Sequence, residues 1–326
     1  MNTSLIEQPA QAPGPRPRRV RTALVMPVLL IVVGLVVLLY PVVATQWNNL
    51  KQIRAADEYS RIEQGAPPTQ LDAALAEAHT YNDTRANGAI LDPWLARVSQ
   101  DNADYQEYLA QLDQQEAMGR ILVPSATVDL PIYHGTTEDV LQRGVGHLYG
   151  SDLPIGGPNT HAALTGHTGL STATLFDNLD DVAVGDPVYI AVSGERLKYE
   201  VDDIAVVLPE DVEGLSVRPG EDLVTLITCT PYGINTHRLL VRAHRVPMDA
   251  TDQAVFEDAT GLPWQWWMWA ILAVVIAVLG GLVWWLRRML SGESAPDGRG
   301  ESPDTPGRAD DAGGVPAGPP PGGVET

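Results

Sequence analysis

Cysteine is almost absent from this chain: Cys229 is the single thiol among 326 residues. No internal disulfide can form, so the residue is either an inert small hydrophobe or a reactive group. One cysteine cannot build a thiolate zinc site, and the seven histidines offer no His-Glu-x-x-His spacing, so the sequence implies neither a metal nor another cofactor. Positive charge is scarce as well. Lys and Arg total 21 against 41 Asp and Glu, a formal charge of −20, and the arginines cluster beside two apolar runs. A protein that neutralises phosphates needs a basic face, so nucleic acid is not an expected partner. No repeat of solenoid or propeller period is present.

The two apolar runs are what the chain has instead. Ala23 to Val43 carries no charge, and at about 1.5 Å per residue it crosses about 30 Å of hydrocarbon, which predicts a transmembrane helix over residues 23–45. A cleaved signal peptide competes with this reading, but the run exceeds a usual signal core and no small-x-small cleavage site follows it. The second run, Trp266 to Leu286, has Trp264, Trp266, Trp267 and Trp269 at one end and Trp284 and Trp285 at the other. These match the aromatic belts of a span over residues 264–286. Arg16, Arg18, Arg19 and Arg21 precede the first run and Arg287 and Arg288 follow the second. The positive-inside rule then places both termini in the cytoplasm and the middle outside, as a two-pass protein of the cell membrane. The tails, residues 1–22 and 287–326, are too rich in Pro, Gly, Gln, Asp and Ser to bury a core and are expected to be disordered.

Residues 46–118 read as an outer helical segment. Trp47, Leu50 and Ile53, and later Leu71, Leu75 and Ala78, recur at helical spacing with Gln64 to Pro68 breaking the pattern, which predicts two amphipathic helices. A loop follows at Asn87-Gly88 and Asp92-Pro93, and a helical pattern resumes from Asp101 to Gln114 through Tyr105, Tyr108, Leu109 and Leu112. From residue 119 to 250 the chain breaks into short apolar segments cut by Gly, Pro and Asp, with residues 251–263 as a linker to the second span. Leu197, Tyr199 and Val201 alternate with Lys198, Glu200 and Asp202 as on a half-buried strand. The outer half is therefore mainly β, a closed barrel or sandwich.

Cys229 ends the run LVTLITC and stands where a strand gives way to a turn. Arg238 opens RLLVRAHRV nine residues later, so a turn between adjacent strands returns its guanidinium toward the thiol. His167, in AALTGHTGL, follows another β-like run and lies between Gly166 and Gly169. Each has a bland reading: a buried small hydrophobe, a surface arginine and a structural histidine.

Together these segments resemble the sortase family. TLITC matches the signature Thr-Leu-x-Thr-Cys, and TPYGINTHRLLVRAHR is similar to its class C (pilus-assembling) continuation. LPIYHGTTEDVLQRGVGHL at Leu130 to Leu148 and GGPNTHAALTGHTGL at Gly156 to Leu170 extend the resemblance over the outer segment. One departure is Thr168, where class C members often carry a basic residue. The resemblance implies an eight-stranded closed β-barrel, preceded here by amphipathic helices and flanked by two transmembrane helices. It implies Cys229 as nucleophile, His167 as general acid/base and Arg238 as the group that stabilises the oxyanion and substrate. It further implies cleavage of a Leu-Pro-x-Thr-Gly sorting signal between Thr and Gly, a Cys thioester, and transfer to an amine. Elementary chemistry assigns a residue to each step: a thiolate to attack, an imidazole to move protons, a guanidinium to hold developing charge. No sequence feature marks a carboxylate that orients His167, so the third position falls to Arg238.

Asp92, Pro93 and Trp94 resemble the Asp-Pro-aromatic lid of class C sortases, placing a lid loop at about residues 90–96. The lid and second span favour a pilin polymerase that joins the threonine of one subunit to a lysine amine of the next. A housekeeping sortase, transferring surface proteins to a peptidoglycan precursor amine, uses the same donor chemistry. A hydrolytic peptidase resolves the same thioester with water. A noncatalytic assembly factor would need none of the three site residues. The family resemblance points to a Gram-positive source. In the lid reading, the Asp92 carboxylate pairs with Arg238 and the Trp94 ring covers the Cys229 sulfur. Asp92→Ala or Trp94→Ala is then expected to speed modification of Cys229 by a small thiol reagent. Unchanged rates in both variants would remove the lid.

Overall fold

Between Ala44 and Gln64 the sequence contains neither Gly nor Pro, and a helix begun in the apolar run has nothing to stop it. In the computed structural model, which describes residues 19–85, 101–257 and 261–291, α1 accordingly spans Arg19–Gly65 without interruption, with Pro27 and Pro41 inside it. At 1.5 Å per residue it is about 70 Å long. The expected first amphipathic helix is therefore not a separate element but the outer half of the apolar one. The break at Gln64 to Pro68 does exist, and α2 starts at Pro68 and runs to Arg85, since Pro is tolerated at a first helical position. The last helix, α5, spans Trp266–Ser291. Both α1 and α5 are long and apolar enough to cross a membrane, consistent with anchoring. The chain divides into two compact units, residues 1–275, which hold the barrel, and residues 276–326, whose described part is the end of α5.

The buried face of outer α1 differs from the expected one. Trp47 is exposed and Leu50 and Ile53 are only half-buried. The buried stripe is Thr45, Asn49, Gln52, Ala56, Tyr59, Ser60 and Glu63, spaced by threes and fours but mostly polar. Polar groups are tolerated there because they meet partners on the barrel and on the segments between its strands. Glu63 accepts from Gly194 N at 2.7 Å and from Arg196 Nη2 at 2.6 Å, and the Tyr59 hydroxyl accepts from Ser193 N at 2.9 Å. The strongest tie runs through Arg120. Its guanidinium, 2% exposed, grips Asp129 in a two-pronged pair at 2.7 and 2.6 Å and reaches Ser60 Oγ at 3.1 Å and Asp57 at 3.1 Å.

Eight strands form a closed barrel: β1 (Gly119–Val123), β2 (Val128–His134), β3 (Val145–His147), β4 (Thr160–Thr165), β5 (Pro187–Val192), β6 (Glu195–Val207), β7 (Asp222–Thr230) and β8 (His237–Val246). Their order around the barrel is β1-β2-β3-β4-β7-β8-β6-β5. The β2–β3 and β4–β7 pairs are parallel and the others antiparallel. Ile121, Ile132, Leu164, Ile190, Val224, Leu226 and Val241 are fully buried in the core. β6 follows the expected alternation through Leu197, Tyr199 and Val201. Its pairing with β8 then slips between Val201 and Asp203, and Val206 is exposed beyond the slip. Such a bulge bends a strand and increases its twist, and the pairing with β8 continues beyond it to Val207.

The helical pattern after Asp101 is shorter than expected. Asn102 caps α3 (Ala103–Leu109) by accepting from Tyr105 N, but Leu112 has φ +53°, outside helical space, so the helix cannot include it. Buried Tyr108 fixes α3 to the barrel, its hydroxyl accepting from Gly135 N at 2.9 Å and lying 3.0 Å from the His147 carbonyl. The expected linker at 251–263 starts as an ordered turn: Asp252 accepts from Tyr189 at 2.7 Å and pairs with Lys198 at 2.8 Å. Removing one partner of a buried ion pair strands the other. Arg120→Ala is therefore expected to cost about 3–5 kcal/mol of stability, read by denaturant unfolding, whereas a loss under about 1 kcal/mol would show that Asp129 is solvated.

Candidate active site

Cys229 is the penultimate residue of β7 and Arg238 the second residue of β8, and the two are direct cross-strand partners. Side chains at such positions project to the same face with Cβ atoms about 5 Å apart. The register thus sets Arg238 directly across from Cys229, the juxtaposition expected of a short strand–turn–strand. Cys229 and Arg238 are each 7% exposed. The connecting turn folds back through Ile234 N and Asn235 N, which donate to the Pro231 carbonyl at 2.9 and 3.0 Å. Arg238 Nη1 donates to the carbonyl of His237 at 3.2 Å.

The other edge of β7 carries the histidine. β4 runs parallel to β7 with Thr165 opposite Ile227. The alignment continues past the strand end, where Gly166 N donates to Ile227 O at 3.0 Å and Thr228 Oγ1 donates to Gly166 O at 2.7 Å. Extending this register by two residues sets His167 alongside Cys229. A Cβ on Gly166 would lie 2.6 Å from the ring of Phe176, so only glycine lets the chain leave β4 over that buried ring. The lid residues Asp92, Pro93 and Trp94 lie outside the described residues.

Sequence reasoning missed two groups around His167, Glu138 and Asp177. Glu138, at the start of α4 (Glu138–Arg143), places Oε2 3.2 Å from His167 Nε2. The Gln142 amide, donating to Glu138 Oε1 at 2.9 Å, and the neighbouring imidazole hold the Glu138 carboxyl below its ordinary range. Glu138 is 63% exposed and His167 12%. A carboxylate therefore does face the histidine, but across a solvated contact unlike the buried acid of a hydrolase triad. Its 29-residue separation left no local signal. Thr168, the departure from the family pattern, is buried and donates to Phe176 O at 3.0 Å. Asp177 accepts from Gly169 N at 2.7 Å, and burial pushes its carboxyl up to about 7 despite that bond. Among the described residues, no group of three or more His, Cys, Asp or Glu could hold a metal ion.

A Sortase domain model matches residues 121–246, which run from β1 to the end of β8 and include Cys229, Arg238 and His167. Sortase C-1 of Actinomyces oris is 56% identical, over 55% of this chain and 99% of that one, with a TM-score of 0.53. The chain belongs to the sortase family. A lid mutant of Corynebacterium diphtheriae sortase A is 50% identical over 58% of this chain and 100% of its own, with a TM-score of 0.54. A Streptococcus pneumoniae sortase C, described for its pilin substrate specificity, is 40% identical over 60% of this chain and 98% of its own, with a TM-score of 0.55. The curated relatives that this sortase matches are spanned for between 51% and 68% of their own length.

Two measurements test this surround. Asp177 ionises near 3.8 by its ordinary value but near 7 when folded. The unfolded chain therefore releases this proton first, and stability is lost as pH rises from about 4 to about 7. Asp177→Asn keeps an acceptor for Gly169, so its advantage over the native chain in thermal unfolding should grow across that window and level off above it. A constant difference would show that Asp177 is solvated. At Glu138, the exposed pair limits the effect of Glu138→Gln on acyl transfer to no more than about fivefold. A hundredfold loss would make the carboxylate an essential partner of His167.

Proposed function

We propose that this sortase is a two-pass membrane transpeptidase that polymerises pilins, with the barrel outside the cell and both termini in the cytoplasm. The observation that carries the chemistry is the placement of β7 between β4 and β8, which sets Cys229 between the His167 loop and Arg238. The Cys229 thiolate attacks the threonine carbonyl carbon of a Leu-Pro-x-Thr-Gly signal, and Arg238 balances the charge that develops on the carbonyl oxygen. His167 gives a proton to the departing glycine amine, leaving a thioester. A lysine amine of the next pilin then attacks the thioester, His167 takes its proton, and an isopeptide bond forms as the thiolate leaves.

Exposed apolar groups support a donor of this kind. Val206 and Leu208, at and just past the end of β6, and Tyr232 and Ile234, in the turn between Cys229 and Arg238, are more than half exposed. They offer a shelf for the leucine and proline of the signal. The pilin acceptor is supported by the Streptococcus pneumoniae relative, and the Asp92-Pro93-Trp94 lid by the relative from Corynebacterium diphtheriae. The arginines flanking the two apolar runs support the topology.

The test incubates the protein, native and with the lid residues replaced, with a sorting-signal peptide and a pilin domain, and identifies covalent products by mass spectrometry. Pilin–pilin isopeptide bonds that vanish on Cys229→Ala are the expected result. A thioester resolved only by small wall-type amines would make this a cell-wall anchoring enzyme, and no thioester at all would sink the catalytic reading.

A further inference from the structure

The His167 loop reaches from the end of β4 toward β5, and most of its internal bonds gather at its base and along residues 174–179, where Asp177 N donates to Thr174 O at 2.8 Å. Phe176 N donates to His167 O at 3.0 Å, and Thr168 Oγ1 donates to Phe176 O at 3.0 Å. The arc at residues 171–174 is in addition tied to α1. Thr45 Oγ1 donates to Ser171 O at 3.2 Å and Asn48 Nδ2 to Thr172 O at 2.9 Å. Asn49 makes a double contact with Thr174, donating to its hydroxyl at 2.9 Å and accepting from its N–H at 3.0 Å. Asn49 and Thr174 are each 3% exposed, and Thr45 is 1% exposed.

The same helix face reaches the other side of the imidazole. Gln52 Nε2 donates to the Gln142 carbonyl at 3.4 Å, at the far end of the α4 turn whose Glu138 faces His167. Between these contacts lies a cavity of about 520 Å³ lined by Asn48, Lys51, Gln52, Tyr133, Gln142 and Leu170 among others. On this side hydrogen bonds rather than close packing set the spacing between helix, loop and α4.

We propose that Thr45, Asn48 and Asn49 are positioning residues for the transfer reaction, holding the loop so that His167 stays in register with Cys229. The helix that anchors the chain is on this account a component of the site. The inference rests on the transpeptidase reading above and adds to it a requirement that the barrel residues alone do not reveal. Since none of these bonds reaches Val206, Leu208, Tyr232 or Ile234, a loosened loop should impair proton transfer and leave donor binding in place.

The experiment uses the full chain in bilayer nanodiscs with a sorting-signal peptide and an amine acceptor, comparing native protein with Asn49→Ala, Thr174→Val and Thr174→Ser. Asn49→Ala and Thr174→Val are expected to lower kcat by about 10- to 100-fold, the scale set by misplacing a catalytic group by about 1 Å. Donor KM should stay within about twofold in both. Thr174→Ser, which keeps the hydroxyl, should restore native kcat. Thr174→Val keeps the volume and the backbone bond, and so gives the answer even where Asn49→Ala does not fold. Native kcat in Thr174→Val, or a loss that Thr174→Ser shares, overturns the inference and leaves the function standing. A native chain that forms no thioester overturns the function and the inference with it.

Discussion

The site depends on one strand being paired on both edges. β7 is held by β4 on one side and β8 on the other, and each ladder is a ruler with a two-residue period. A slip of one residue against β8 would turn Arg238 to the opposite face from Cys229. A slip against β4 would move His167 along the thiol. The buried sequence Val224, Thr225, Leu226 and Ile227 resists both, because a shift in either direction exchanges core positions with covered outer ones. Catalytic geometry and core packing are thus specified by the same residues.

The outer half of α1 illustrates a different way to dock a helix. An apolar stripe would bind the barrel with little dependence on rotation about the helix axis. A stripe of Thr, Asn, Gln, Ser and Glu binds only where each donor finds its acceptor. Arg120 raises the requirement further, since its buried charge must be shared by Asp129, Asp57 and Ser60 at once. A polar seam therefore sets the rotation and height of the helix more sharply than apolar contact would, at some cost in adhesion.

The parts of this arrangement legible in the sequence were those that local spacing encodes. The strand–turn–strand from LVTLITC to RLLVRAHRV is short enough for Cys229 and Arg238 to be placed together without knowing the fold. A mainly β barrel or sandwich followed from many short apolar segments broken by turn residues, and the resemblance chose the closed barrel. His167 was found through resemblance, since the β4–β7 pairing that brings it to Cys229 joins segments 62 residues apart. Glu138 and the Asn49–Thr174 contact were illegible for the same reason, being tertiary pairs with no periodic trace. The buried face of α1 was misread because hydrophobicity marks inward positions only when docking is apolar. Leu112, taken for a helical residue, obeys backbone geometry that its apolar side chain does not announce.

Barrel closure has a consequence for how a peptide can be read. Proteins that capture extended segments often let them join the edge of a sheet, where backbone bonds supply affinity irrespective of sequence. Here β1 closes on β5 and every strand has neighbours on both sides, so over most of the wall an extended chain finds no edge to extend, the end of β6 beyond Val201 being paired with β8 but not with β5. Over that closed part, whatever is recognised must be gripped through its side chains and ends, by groups standing on the barrel wall and in its loops. A closed wall thus ignores the bulk of any unfolded polypeptide passing it and responds only to the few residues that fit.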